Sequence, residues 1–174
     1  DLRRVIEPLL ADPRDMARVN AAEALGNLGD EAAAPALIGA LEREANDAAL
    51  MTVVQALQTL FARHVRPPAL DGEAKDEDAV LPPDLTLAVH SAANALGRTT
   101  WRADMAIVRL LDQFRSLDSV PALIGVLERF RDHPEEVKSG KLSGLLQYQG
   151  RELLVATTGA IFPADQPDKW RELW

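Results

Sequence analysis

PALIGALERE, residues 35–44, returns almost letter for letter as PALIGVLERF, residues 121–130. The match continues toward the N-terminus without a gap at the same offset, and apolar side chains stand opposite each other in the two copies. These pairs are Val19 and Met105, Ala22 and Val108, Leu25 and Leu111, and Leu28 and Phe114. Two complete units are therefore duplicated, which is typical of stacked-repeat architectures.

Each copy has the pattern of two short helices joined by a tight turn. Residues 16–28 place apolar side chains about three apart with small alanines between them, so one stripe can pack against a neighbouring helix. Gly29 can adopt the left-handed conformation that ends a helix, and Asp30 can accept from free amides of the next one. Pro35 suits the first turn of the second helix, where its missing N–H group is not needed. In the second copy we expect Asp118 to be the cap.

The stretch AAEALGNLGD at residues 21–30, followed by PALIGAL at residues 35–41, resembles the HEAT-type repeats of bacterial proteins, in particular the PBS-lyase HEAT-like variant. The resemblance is close for the first copy and extends in degenerate form over residues 12–159. It implies an all-α fold, a right-handed α-α superhelix of the armadillo-like kind with about four helix pairs. It implies a scaffold or binding surface but no activity, since many unrelated functions use this fold.

The composition limits the number of domains, the type of core and the kinds of partner and chemistry that are expected. The 174 residues suffice for one continuous core, so we expect a single HEAT-like repeat domain over residues 1–174. Hydrophobic residues make up 47% of the chain but aromatic residues only 5%, which suits helices packed through Leu, Ala, Val and Ile. The net charge of −8 repels phosphate backbones and argues against nucleic-acid binding. Without cysteine there are no disulfides, thiolate metal sites or cysteine nucleophiles.

The sequence does not indicate a compartment. No apolar run approaches the ~18 residues that a spanning helix needs, so membrane insertion is not expected. The first residue is Asp1 rather than methionine, which is compatible with a fragment that lacks its own N-terminus. The localisation therefore stays open, with the cytoplasm slightly favoured, and so does the oligomeric state.

An inserted loop is predicted between the paired helices of the second unit. Residues 66–83 hold two proline pairs and an acidic run of five carboxylates. Prolines prevent helix continuation and like charges repel, so we expect a solvated loop that ends where Asp84 caps a helix over residues 85–96. The alternative is an acidic loop that binds a basic segment or a divalent cation, although the ligand spacing of an EF-hand is absent.

Both ends of the chain are predicted to cover the stack, because an uncapped terminal repeat exposes its apolar face. Residues 2–10 are expected to form one helix, which either covers the first repeat or is the second helix of a unit that the sequence includes only in part. Residues 160–174 are expected to form a C-terminal cap in which Trp170 and Trp174, four positions apart on one helix face, cover the last apolar surface. A ligand-stacking site is the alternative for these tryptophans.

A last helix is predicted over residues 142–158. Gly144 and Gly150 lie inside that stretch, and an internal glycine destabilises a helix by up to ~1 kcal/mol relative to alanine. We therefore expect some irregularity in this helix.

Catalytic motifs are not found in the sequence. None of His64, His90 and His133 is followed by glutamate, so the His-Glu dyads of the iron-dependent HEAT hydroxylases are missing, and HExxH is missing too. Glycine-rich phosphate loops and nucleophile elbows are absent. The lysines and arginines are scattered, unlike the basic inner face that a HEAT-like DNA glycosylase would need. We expect no catalytic residue, no cofactor and no metal, and hence no enzyme.

Six residues are candidates for partner binding. A Glu-Arg pair recurs at equivalent positions in the two copies, either as ion pairs and solvated helix ends or as a ladder that faces a partner. A histidine and an asparagine one turn apart lie opposite an apolar helix face, either as a polar surface pair or as a ligand contact. The candidates are Glu42, Arg43, His90, Asn94, Glu128 and Arg129.

The predicted function is a non-catalytic protein interaction or scaffold module that binds a peptide or protein on the concave surface of the second helices. The alternative is a lyase-like or other small-ligand-binding HEAT protein with a site in the concave groove. A purely architectural spacer is the third possibility. A closed pocket with converging polar groups would favour the small ligand, and an open groove would favour the partner.

Overall fold

A computed structural model describes residues 1–65 and 81–174. The predicted insertion, residues 66–83, lies almost wholly outside the described residues. Only its last three residues are described, and Pro83 is already the first residue of a helix. The insertion therefore ends one residue earlier than predicted, and Asp84 is a residue of the first helical turn rather than the cap, which is Pro82.

All regular structure in the described ranges is helical. The helices are α1 Leu2–Ile6, α2 Asp15–Leu28, α3 Ala34–Arg43, α4 Asp47–Leu60, α5 Pro83–Ala95, α6 Trp101–Gln113, α7 Val120–Asp132, α8 Pro134–Lys138, α9 Gly144–Thr158 and α10 Pro167–Leu173.

The helices stack in two layers. The first helices α2, α4, α6 and α9 pack side by side in chain order, and the second helices α3, α5 and α7 form the other layer, with α10 packed on α7. Each second helix also contacts a first helix, as α3 does with α4 and α5 with α6. The predicted all-α class with stacked helix pairs is confirmed.

One apolar cluster runs through all the pairs, from Leu10 to Trp170. Its members are mostly Leu, Ala, Val and Ile, as the composition predicts. Small residues let helices approach closely: a Cβ on Gly26 of α2 would lie 2.9 Å from the Cα of Ala56 in α4. Alanine or anything larger at that position would have to push two backbones apart.

The turn between the paired helices has a side-chain acceptor at corresponding positions in both copies, but only the first copy ends its first helix with a left-handed glycine. Gly29 has a φ of +65° and ends α2, and the Asp30 side chain accepts from the Ala32 amide at 3.0 Å. In the second copy the acceptor is the Ser116 hydroxyl, which lies 3.2 Å from the Asp118 amide. The prediction that Asp118 is the cap is therefore wrong, and Ser116 occupies the position that corresponds to Asp30.

Two predicted helices differ from the structure. The segment 2–10 divides into α1 and a 3-10 turn over Glu7–Ala11, because Pro8 lacks the amide that would continue the helix. It packs on α2 and α3 and so covers the first repeat as predicted. The helix predicted over 142–158 begins at Gly144 and is continuous, since Gly150 packs against Val126 and Leu127 of α7.

The two tryptophans of the C-terminal cap behave differently. Trp170 is 1% exposed and meets the Phe162 ring edge to face, with centroids 5.0 Å apart. Trp174 is 53% exposed. The C-terminal helix therefore covers the last repeat through Trp170 alone, and the expected covering role of Trp174 is wrong. Among the described residues no group accepts from the buried Trp170 Nε1–H.

Candidate functional site

The six candidate residues lie on consecutive second helices. Glu42 and Arg43 end α3, His90 and Asn94 lie on α5, and the second Glu-Arg pair lies on α7. His90 and Asn94 are exposed, as predicted. The structure thus brings all six to one layer of the stack.

Glu42 links two of these helices. Its carboxylate accepts from the hydroxyl of Ser91, a buried residue of α5, at 2.8 Å. In the described part of the chain no ion pair involves Glu42 or Arg43. The first Glu-Arg pair therefore serves a helix contact through the glutamate and leaves the arginine at the surface.

The second Glu-Arg pair has different partners. Glu128 is bound by Arg171 of α10, with Nη2 to Oε2 at 2.8 Å. Arg129 donates from Nε to Glu136 of α8 at 2.7 Å. Exposed pairs of this kind contribute less than ~1 kcal/mol, so they position α8 and α10 more than they stabilise the fold.

A crevice opens where two second helices separate. The helix α3 packs closely against α5, whereas α5 and α7 meet at only a few residues. The space between α5 and α7 has a volume of about 170 Å³. We call it the α5–α7 crevice, and it is lined by Ala93, Leu96, Gly97, Asp104, Ala122, Gly125, Val126, Arg129, Leu142 and Leu146.

A buried carboxylate is among the residues that line the α5–α7 crevice. Asp104, in the first turn of α6, is 2% exposed and accepts from the Gly97 amide at 2.7 Å. Burial raises the pKa of this carboxyl above its ordinary value, and the Gly97 hydrogen bond and the nearby charge of Arg129 oppose that rise only in part. Among the described residues no further hydrogen bond reaches the Asp104 carboxylate.

The corresponding place in the first copy holds an ion-pair network, which lines a space of about 590 Å³. Arg18 stands at the position that corresponds to Asp104, and it donates to both carboxylate oxygens of Glu44 at 2.8 and 3.0 Å. Glu44 also accepts from the amides of Ala45 and Asn46, at 3.1 and 2.8 Å. Although burial alone would raise it, the pKa of Glu44 is held below its ordinary value by the Arg18 guanidinium and these amides.

Comparison with known proteins identifies the first of the two copies. Residues 17–43, which span most of α2 and all of α3, match the family model described as PBS lyase HEAT-like repeat. The chain carries a HEAT-like repeat. No significant match was found among curated proteins or among solved structures.

The HEAT-like repeat architecture therefore rests on one matched unit and on the internal duplication of that unit. The second copy, residues 102–129, lies outside the matched residues. It is also the copy that holds Asp104 and Gly125. Glu42 and Arg43 lie at the end of the matched residues, whereas Asp104 occurs at a position where the second copy departs from the first.

Sequence reasoning missed both Asp104 and Gly125. The signal for Asp104 was the alignment of the copies, which places a carboxylate where the first copy has Arg18. The signal for Gly125 was a mid-helix glycine in both copies, at Gly39 and Gly125, although glycine destabilises a helix. Both signals show only when the two copies are compared position by position.

The described residues contain neither a metal-binding cluster nor a membrane-spanning helix. Within residues 1–65 and 81–174 no group of three or more His, Asp or Glu side chains is arranged to hold a metal ion. No helix in these ranges combines the length and the apolar character that crossing a membrane requires.

Proposed function

We propose that this protein is a non-catalytic interaction module that binds a peptide or protein segment along its second helices. The observation that carries the proposal is the arrangement of the six candidates on α3, α5 and α7, three neighbouring elements of one layer. Repeat proteins present extended surfaces of this kind because each unit adds one helix to the row. HEAT-like repeats generally serve as structural and interaction units.

The exposed face of α5 supports this proposal. Leu87, His90 and Asn94 follow one another at helical spacing and are all exposed, with Leu87 at 47%. The apolar Leu87 and the uncharged amide of Asn94 can contact a peptide without the desolvation of a charge. This face lies in the middle of the layer, between α3 and α7.

The small-ligand alternative is not supported at the α5–α7 crevice, although spaces of about 400 Å³ between α6 and α9 and about 590 Å³ beside Arg18 and Glu44 lie elsewhere on the described chain. Sites for drug-sized molecules typically have volumes of about 300–1,000 Å³ and enclose most of the ligand. The α5–α7 crevice, with about 170 Å³, is smaller than that range. A volume of this size suits one side chain of a larger partner better than a whole small molecule.

Selection from a random dodecapeptide library displayed on phage, with the full chain immobilised, tests the proposal. We expect enriched peptides that bind saturably when measured by fluorescence anisotropy. The double variant His90→Ala/Asn94→Ala should weaken them about tenfold, which corresponds to ~1.4 kcal/mol. Both side chains are exposed and make no hydrogen bond among the described residues, so the fold should be unaffected.

A matched control lies on the first-helix layer. Gln55→Ala/Thr59→Ala removes two exposed polar side chains, also one turn apart, from α4. This control should leave the peptide affinity unchanged. Binding that is lost in the α4 variant and kept in the α5 variant would overturn the proposed surface, and a failure to enrich any saturable peptide would overturn the proposed function.

A further inference from the structure

We infer that the α5–α7 crevice receives a basic side chain, lysine or arginine, from the bound peptide, and that the Asp104 carboxylate is its counter-charge. The inference rests on the proposed function and adds a specificity site to it. The site lies apart from the exposed α5 face, and none of Asp104, Gly97 and Gly125 was among the six candidate residues.

The shape of the α5–α7 crevice fits such a side chain. Lysine and arginine have an apolar stem and a charged head, and they bury the stem along apolar surface. The lining of the crevice contains the apolar Leu96, Val126, Leu142 and Leu146 and the carboxylate of Asp104. Apolar side chains beside a carboxylate match that distribution of polarity.

The charges around Asp104 favour a cation. The nearest opposite charge is Arg129, but its guanidinium is already paired with Glu136 at 2.7 Å. Asp47 acts on Asp104 as a further negative charge, while its carboxylate accepts from the hydroxyls of Thr99 and Thr100. Asp104 and Arg129 are the charged residues that line the crevice, and Arg129 is paired with Glu136, so Asp104 is the lining carboxylate without an ion-pair partner among the described residues.

The buried carboxylate is not explained by stability. A buried carboxyl that is mostly desolvated and accepts one backbone hydrogen bond destabilises the folded state when it ionises, and an apolar or neutral residue would avoid this. Strained or desolvated groups of this kind concentrate at functional sites. An incoming ammonium or guanidinium group would supply the missing charge partner.

The free space at Gly125 is a second, independent observation in favour of a side chain that enters the crevice. It lies in the middle of α7 and lines the crevice, and among the described residues no atom outside its own helix backbone lies within 4 Å of where a Cβ would stand. Packing within the protein therefore does not require a glycine there, although glycine weakens the helix. A partner side chain that passes over Gly125 would require it.

The test uses capped amino acids as probes and the backbone amides of Gly97 and Gly125 as reporters in ¹H–¹⁵N NMR titrations of the full chain. Acetyl-lysine-methylamide and acetyl-arginine-methylamide should shift the resonances of both amides, and the neutral acetyl-norleucine-methylamide should not.

Asp104→Asn should reduce the affinity for the two cationic probes at least tenfold. The variant should fold normally because the amide oxygen of the asparagine can still accept from Gly97 N. Asp112→Asn removes an exposed charge from the same helix and is the matched control.

Gly125→Ala adds a methyl group to the crevice, and it should weaken both cationic probes about fivefold or more, as expected when a filled site collides with its ligand. Gly39→Ala, the same change at the corresponding position of the first copy, should not.

Other outcomes would overturn the inference. If the capped norleucine bound as tightly as the capped lysine, charge would play no part in binding. Butylamine binding more tightly than capped lysine would assign the crevice to a free amine, and a change of oligomeric state in Asp104→Asn by sedimentation would assign it to a second copy of the chain. Phage-selected peptides that bind Asp104→Asn unchanged would retire this inference and leave the proposed function standing.

Discussion

The two copies of the repeated hairpin, residues 16–43 and 102–129, share an apolar stripe and differ at their polar positions. Leu37, Ile38 and Leu41 of the first copy and their counterparts in α7 are all buried. Arg18 of the first copy is paired with Glu44, whereas the second copy has the buried Asp104 at the corresponding position and Phe130 where Glu44 would stand. Repetition of the apolar stripe is enough to build the stack, so the polar positions are free to differ.

The spacing between neighbouring first helices also differs between the two copies. In the first copy Gly26 brings α2 to within backbone contact of α4. The second copy has the exposed Asp112 at that position, and a crevice of about 400 Å³ opens between α6 and α9. Both copies border open space, which in the first copy measures about 590 Å³ beside Arg18 and Glu44 and about 330 Å³ beside Gly26. The copies differ in the side chains that line this space, an ion pair in the first and the buried Asp104 in the second.

Removal of the network should have the largest effect on stability. Glu44→Ala leaves the Arg18 guanidinium and two backbone amides without their acceptor, and we expect the free energy of unfolding to fall by about 2–3 kcal/mol. The expected loss is smaller than that for a fully buried ion pair because the Arg18 guanidinium can be rehydrated. Chemical denaturation of the wild type and the variant measures the free energy of unfolding.

Glu23→Ala is the control for this experiment. Glu23 is an exposed glutamate of α2 without a hydrogen bond among the described residues, and its removal should change stability by less than ~0.5 kcal/mol. Equal losses in the two variants would mean that the network does not stabilise the first copy.

The close approach of α2 and α4 should be nearly as sensitive. Gly26→Ala forces a methyl group against the Cα of Ala56, 2.9 Å away, and should lower the free energy of unfolding by about 2 kcal/mol despite the better helix propensity of alanine. Asp112→Ala at the corresponding position of the second copy should be nearly neutral. If Gly26→Ala proved stabilising, the asymmetry between the copies would not exist in solution.

The pH dependence of stability should have opposite signs in the two copies. The pKa of Glu44 is lowered in the folded state, so its contribution is present above the ordinary glutamate pKa and is lost as the pH falls through the lowered value. The pKa of Asp104 is raised, so stability is highest below the ordinary aspartate pKa and is lost as the pH rises through the raised value.

Difference curves isolate these two groups from the other carboxylates. The stability difference between the wild type and Glu44→Gln should shrink toward acid pH. The difference between Asp104→Asn and the wild type should shrink toward acid pH as well, but with the variant as the more stable protein at neutral pH. A destabilised Asp104→Asn at pH 7 would contradict the view that this carboxylate opposes folding.

The internal repeat made most of the fold predictable. The helix pairs, the turn at Gly29 and Asp30 and the burial of the leucine stripe follow from local spacing and cap chemistry, which act over a few residues. Where a single residue was overlooked the prediction failed locally, as at Pro8, or at Ser116, where a hydroxyl replaces the expected carboxylate.

The site was less predictable than the fold, because it depends on separations between helices that no local pattern encodes. Glu128 and Arg129 were predicted from their recurrence, but their partners on α8 and α10 lie in segments that have no counterpart in the first copy. The α5–α7 crevice exists because two helices diverge, and the sequence contains no periodic signal for divergence. Only the charge reversal between Arg18 and Asp104 could have indicated it.

The smallest expected effect concerns the glycines that the copies share. Gly39→Ala and Gly125→Ala should each stabilise the protein by about 0.5–1 kcal/mol, since both glycines are helical and alanine restricts the unfolded chain. At Gly125 a methyl group meets no described atom, whereas at Gly39 it comes within 3.1 Å of Arg43 Nη1, the mobile end of a side chain that can move away. Gly125→Ala should therefore increase the free energy of unfolding slightly more than Gly39→Ala.

The same Gly125→Ala change is expected to weaken binding of the cationic probes. A variant that is more stable and binds these probes less tightly would show that Gly125 serves the binding of a side chain in the crevice. A destabilised Gly125→Ala would mean that the crevice is closed in solution.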